Sequence, residues 1–341
     1  MKALVIEKIG QAGFREIDAP QPKADEVLID VKHVGLCGSD LNTFRGTNPL
    51  SKLPRIPGHE IGGVIRSAGS EVPVEFSNGA SVIVIPYSTC GKCSSCLNGR
   101  ENACKYNETL GVQKDGGMST SIVVHHDRLI RNDQLKPAHL ALVEPLSVGF
   151  HAVARGRVSE KDTVVVLGGG MIGVGAMLGA KARGARVIAV EVSEEKHAPL
   201  LGLGVDHVIN PMKEDLEKTL ATLTNGNGAD VVVEAVGLPE TFRAAIDLVC
   251  FSGRVVYVGY AKSEVSYNTS LFNLKELDIL GSRNATRADF DAVIAFISGQ
   301  EELASSLISR VFPWAEADQA FEYWEANRNK TFKVMINLAD G

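Results

Sequence analysis

The sequence lacks the features that would send a chain to a membrane, to nucleic acid or into an oxidising compartment. No stretch approaches the roughly 18 apolar residues that a bilayer-spanning helix needs, so no membrane segment is expected. The opening Met-Lys-Ala-Leu-Val-Ile-Glu-Lys is too short and too soon charged for a signal peptide, and reads as a strand. Basic runs are missing and the formal net charge is −6, which removes the electrostatic footprint of a nucleic-acid binder. There is no internal repeat and no low-complexity segment. Cysteines number six, four of them within 15 residues, a crowding that suggests metal binding rather than disulfides. A cytoplasmic location is expected.

What is present is ordinary globular material: 341 residues with 45% apolar content, enough for two domains with sizeable cores. Thr163 to Gly173 marks a change of structure. Val164 to Leu167 reads as a short buried strand, and Gly168, Gly170 and Gly173 follow at G-x-G-x-x-G spacing before an Ala- and Leu-rich helix. Such a turn suits a dinucleotide: Gly168 for the tight turn, Gly170 for close approach to a pyrophosphate, Gly173 for helix–strand packing. Met171 and Ile172 open the helix, whose free N–H groups favour phosphate. A second apolar strand, Arg186 to Val190, ends at Glu191, 23 residues after Gly168. A carboxylate there suits a ribose 2′-hydroxyl and repels a 2′-phosphate, so NAD is expected over NADP. Four more apolar strands, Asp206–Ile209, Asp230–Glu234, Arg254–Val258 and Leu277–Leu280, give a six-stranded doubly wound parallel sheet.

Residues before about 145 are β-rich and punctuated by Gly and Pro, with strands expected at Ala3–Glu7, Val27–Val34, Gly63–Ser67, Ser81–Ile85 and Ser121–Val124. Scattered through this half are Cys37, His59, Glu60 and Glu144. Together they supply the sulfur, imidazole and carboxylate ligands of a zinc that keeps one position open. Asp40 is expected to accept the second ring N–H of His59. Cys90, Cys93, Cys96 and Cys104 form C-x2-C-x2-C-x7-C. Four soft ligands close a tetrahedral zinc, so this second site is expected to be structural; an iron–sulfur cluster is the rival for such a run.

On Gly-x-Cys-Gly-Ser-Asp at 35–40, Gly-His-Glu at 58–60, the four-cysteine cluster, Glu-Pro at 144–145 and the glycine turn, the chain resembles the zinc-dependent medium-chain dehydrogenase/reductase family along essentially its whole length. The resemblance implies a GroES-like β-rich catalytic domain at 1–145 and 286–341, carrying the structural zinc lobe at 88–106. A Rossmann NAD-binding domain would fill 146–285. It implies two zinc ions per chain, with Cys37, His59 and one or both of Glu60 and Glu144 at the catalytic one. Ser39 resembles the hydroxyl that relays the substrate proton. Many relatives extend that relay with a His five residues after the cysteine, where this chain has Asn42. Val236, Gly259 and Tyr260 resemble contacts to the cofactor. Arg283 and Asn284, and Gln113 in the Gly111–Gly117 loop, are candidate substrate contacts; a solvated Gln113 and an Arg283 at a subunit contact are the alternatives. Short loops look most similar to bacterial L-galactonate or L-gulonate 5-dehydrogenases. Sorbitol- or galactitol-phosphate-type polyol dehydrogenases and threonine 3-dehydrogenase are the near rivals. A zinc-free enone reductase and a noncatalytic NAD-binding relative are rivals of other kinds. The resemblance also implies a small polyhydroxylated substrate and a homodimer or homotetramer.

Overall fold

The computed structural model describes residues 1–339. They divide into two compact units, Met1–Glu144 with the segment from Ile297 onward, and Pro145–Phe296.

In the first unit the organising strand is Glu26–Gly35, mostly buried along its length. It pairs antiparallel with Glu60–Ala68, Ser121–His125 and the late strand Lys333–Asn337. The sheet continues through Ser81–Val84 and Leu129–Arg131 on one side and Ile308–Pro313 on the other. A separate hairpin joins Lys2–Lys8 to Gln11–Glu16. Alternating Val and Ile residues of these strands meet Trp314 and Phe321 in one apolar core. Three of the strands were not expected: Gln11–Glu16, Leu129–Arg131 and Ile308–Pro313.

The second unit is a parallel sheet in the spatial order His207–Ile209, Arg186–Val190, Thr163–Leu167, Ala229–Glu234, Val249–Tyr257 and Asp278–Gly281. All neighbours are parallel, which makes this the six-stranded doubly wound arrangement whose ligands bind at the carboxyl ends of the strands. Helix Arg287–Ile297 corrects the expected boundary at 286. Up to Phe296 it belongs with the parallel sheet. Its Phe290 is fully buried, Phe296 packs on Phe150 at 5.7 Å between ring centroids, and Asp289 meets His151 Nδ1 at 2.8 Å.

Candidate active site

Cys37, His59, Glu60 and Glu144 reach one corner of the first unit from three separate elements. Cys37 is the N-cap of the short helix Gly38–Phe44, and the Asp40 carboxylate turns back to accept its N–H at 2.9 Å. The other Asp40 oxygen accepts the N–H of Gly58 at 3.2 Å, so one buried carboxylate fixes the backbone beside Cys37 and beside His59. His59 and Glu60 enter strand Glu60–Ala68, and Glu144 lies in the first turn of helix Val143–Arg155. Ligating atoms of Cys37, His59 and Glu60 all lie within 4.8 Å of one another, a group that does not include Glu144, whose carboxyl is held by Tyr87. Ser39 Oγ is buried here and has no hydrogen-bond partner.

Asp40 departs from the expected role. Its nearer oxygen is 3.9 Å from His59 Nδ1, beyond hydrogen-bond reach, and Nδ1 is buried without a partner. Asp40 therefore acts on the backbone and on the local charge. Burial opposes a charge on His59, but Cys37, Asp40 and Glu144 together outweigh it and raise its pKa well above the ordinary value. Burial also pushes Glu144 up to about 7, against the attraction of His59 and with added repulsion from Glu60. Asp40, Glu60 and Glu144 are three buried carboxyl groups beside a thiol. The Cys37 sulfur, the orphaned imidazole nitrogen and the Glu60 and Glu144 carboxyl groups of this corner make a mixed donor set of the kind that holds a divalent cation.

The four-cysteine lobe holds no apolar core beyond its own sulfurs. None of the four is in a disulfide. Cys93 Sγ lies 3.5 Å from Cys96 Sγ and 3.9 Å from Cys104 Sγ, and Cys90 Sγ lies 4.0 Å from Cys96 Sγ. Sulfurs at the corners of a tetrahedron with Zn–S of about 2.3 Å are roughly 3.8 Å apart. Backbone N–H groups of Cys93 and Tyr106 point at Cys90 Sγ and Cys104 Sγ at 3.3 and 3.4 Å, as outer partners of metal-bound sulfur do. The cluster fits a structural zinc.

In the second unit the glycine turn has the geometry the spacing calls for. Gly168 has φ +100°, a Cβ on Gly173 would overlap the Gly168 carbonyl oxygen, and Gly170 faces open space. Glu191 is buried at the end of its strand. One of its oxygens accepts Gly169 N–H and the other Ser193 N–H, both at 2.7 Å. The middle glycine thus matters as well, since a Cβ on Gly169 would stand 2.7 Å from the Glu191 carboxylate.

Residues 23–134 match the alcohol dehydrogenase GroES-like domain, and residues 172–299 match the zinc-binding dehydrogenase family. L-galactonate-5-dehydrogenase of Escherichia coli K12 is 32% identical over 99% of both chains. Sorbitol dehydrogenase of Halalkalibacterium halodurans is 32% identical over the full length of both. The chain belongs to the zinc-type medium-chain alcohol dehydrogenase family. A solved alcohol dehydrogenase from Escherichia coli CFT073, complexed with NADH, superposes with a TM-score of 0.91 at 29% identity over 99% of each chain.

Within this zinc-type dehydrogenase two residues of the site escaped sequence reasoning. Lys333 is 1% exposed, and its Nζ donates to both oxygens of Glu60 at 2.6 Å and to the Leu36 carbonyl at 3.0 Å. A lysine inside the apolar run Phe332–Ile336 was the available signal. Tyr87, three positions before Cys90, donates its hydroxyl to Glu144 Oε1, and no pattern announced it. Gln113 is engaged within its loop, where its Oε1 accepts the N–H of Thr109 at 2.9 Å. That loop braces the histidine segment: Gly116, Gly117 and Met118 donate to the carbonyls of Ile56, Gly58 and Pro57. Val236 is half-exposed and Tyr260 exposed, in the turns after strands Ala229–Glu234 and Val249–Tyr257, with Gly259 beside Tyr260. Arg283 and Asn284 occupy the turn leaving strand Asp278–Gly281, with Asn284 at φ +52°.

Proposed function

We propose that this protein oxidises a secondary hydroxyl of a sugar acid or polyol with NAD, L-galactonate- or L-gulonate-type 5-dehydrogenation being the first candidate. The observation that carries the reading is the sulfur, imidazole and carboxylate of Cys37, His59 and Glu60 converging within 4.8 Å. Cys37, His59 and one or both of Glu60 and Glu144 hold the catalytic zinc, and Cys90, Cys93, Cys96 and Cys104 hold the structural one. When bound, zinc supplies a Lewis acid for the substrate oxygen, and the nicotinamide accepts the hydride. Asp40 fixes the backbone on both sides of the ligand pair. Ser39 Oγ relays the hydroxyl proton, accepting it as its own proton passes on, and because Asn42 cannot titrate, the proton leaves through water, the ribose hydroxyls or another group.

In the second unit Gly168, Gly170, Met171, Ile172 and Gly173 receive the pyrophosphate, and Val236, Gly259 and Tyr260 contact the adenosine and the nicotinamide ribose. Glu191 selects NAD over NADP, because a 2′-phosphate would meet a buried carboxylate. The relatives' sugar-acid and polyol names support a polyhydroxylated substrate, for which Arg283 and Asn284 are candidate contacts. A cytoplasmic homodimer or homotetramer belongs to the same reading.

The test is a panel of aldonates, polyols and their phosphates scored by NADH formation, run beside Cys37→Ala. Turnover is expected on a sugar acid or polyol and lost in the variant, with NAD affinity and fold retained. Unchanged turnover in Cys37→Ala would refute the metal assignment.

A further inference from the structure

Tyr87 belongs to none of the motifs, yet it is built into the corner that holds Cys37 and His59. Its side chain is 5% exposed and its hydroxyl donates to Glu144 Oε1, itself on a side chain 4% exposed. The loop carrying Tyr87 is fixed on both sides. Leu110 N–H donates to the Pro86 carbonyl at 3.0 Å, and Glu108 N–H donates to Ser88 Oγ at 2.6 Å. On the near side Ile85 N–H donates to the Arg128 carbonyl at 2.8 Å. These bonds close the neck of the four-cysteine lobe, which begins at Cys90. A phenol ring has two side-chain torsions, so on a clamped backbone it presents its O–H at one place. A glutamate has three torsions, and Glu144 carries the further burden of repulsion from Glu60.

We propose that Tyr87 is a positioning residue for the catalytic metal: its hydroxyl pins one oxygen of Glu144 and thereby sets how that carboxylate addresses the ion held by Cys37 and His59. The inference rests on the reading of Glu144 as a metal ligand. It gives the cysteine lobe a task beyond its own stability, because the lobe's closed neck is what holds Tyr87 still. Outer partners that orient a ligating carboxylate are worth about 10- to 100-fold in metal affinity.

The experiment uses the full-length holoenzyme and reads the metal rather than turnover alone. Catalytic-site affinity is measured by competition with a chelator, and the site is also loaded with cobalt to record its ligand-field spectrum. Tyr87→Phe removes only the hydroxyl. It is expected to weaken the catalytic metal about 10- to 100-fold and shift the cobalt spectrum, with the four-cysteine metal retained. Glu144→Gln is expected to weaken the metal as well, and the double variant to be no worse than Glu144→Gln alone. Tyr87→His, which keeps a ring N–H donor, is expected to recover part of the affinity.

Wild-type affinity and spectrum in Tyr87→Phe, with Glu144→Gln impaired, overturn the proposal and leave the ligand reading standing. Additive losses in the double variant also overturn it. So does a lower melting temperature of metal-stripped Tyr87→Phe with no change in affinity or spectrum. An unimpaired Glu144→Gln instead refutes the ligand reading itself.

Discussion

Replacing Lys333 with Met removes one half of a buried ion pair while keeping most of the aliphatic stem. Lys333 and Glu60 are 1% and 0% exposed, and Nζ lies 2.6 Å from each carboxylate oxygen. The variant leaves a buried carboxylate without its counter-charge and the Leu36 carbonyl without its donor. Removing one partner of such a pair costs about 3–5 kcal/mol, chiefly because the remaining charge is stranded away from water. For a unit of this size each kcal/mol is about 2–4 °C, so the expected fall in melting temperature is roughly 6–20 °C. Lys333→Met combined with Glu60→Gln removes the stranded charge and should recover most of the loss. Trp314 and Trp324 are the two tryptophans of the chain and both lie in the first unit, so their fluorescence reports its unfolding. The measurement belongs on metal-stripped protein, where differences in metal affinity do not enter the stability. A loss below about 1 kcal/mol, or a double variant no more stable than the single one, would refute the reasoning.

Three further outcomes are expected. Glu191→Ala should weaken NAD about 10- to 150-fold, the worth of a hydrogen bond to a charged group, and narrow the preference over NADP. Binding titrations with both cofactors check this, and a purely thermal effect would count against the ribose role. Cys104→Ala should lower the bound zinc by one ion per chain and reduce thermal stability, read by metal analysis and melting; an unchanged zinc content would exclude the four-sulfur site. Asp289 gives a pH signature. Burial works against its charge, yet the bonds from His151 and Thr286 prevail and hold its pKa below the usual value. A lowered folded pKa means the stabilisation is present above the unfolded value of about 3.9 and is lost as pH falls through the folded one. Asp289→Asn should therefore flatten the acid limb of the second unit's stability profile, and an unaltered limb would refute the assignment.

The second unit was legible because its strands are continuous apolar runs separated by helices, a pattern that survives without tertiary information. Strand Gln11–Glu16 was not, since it carries Gly13 and three charged or amide side chains and stays largely exposed. Ile308–Pro313 has the same difficulty, with only Phe312 fully buried. Leu129–Arg131 is too short for any period to show. At the site, motif spacing located Cys37, His59 and Glu60, because their neighbours in sequence are part of the pattern. Tyr87 and Lys333 act on residues 57 and 273 positions away, and nothing local encodes such partnerships. Asp40 shows the converse limit. Its presence beside Cys37 and His59 was readable, but whether it faces an imidazole or two backbone N–H groups is decided by where Gly58 comes to rest.

Strand Lys333–Asn337 lies against Glu26–Gly35 although some 300 residues of chain separate them. During synthesis, Glu60 leaves the ribosome 273 residues before its counter-ion. At about 5–20 residues per second that is a wait of roughly 14–55 s. Over that interval the emerging first unit has no lysine to close its acidic corner, and the sheet edge that Lys333–Asn337 will occupy stands open. The nascent chain therefore carries an unpaired sheet edge beside the corner where Cys37, His59 and Glu60 come together.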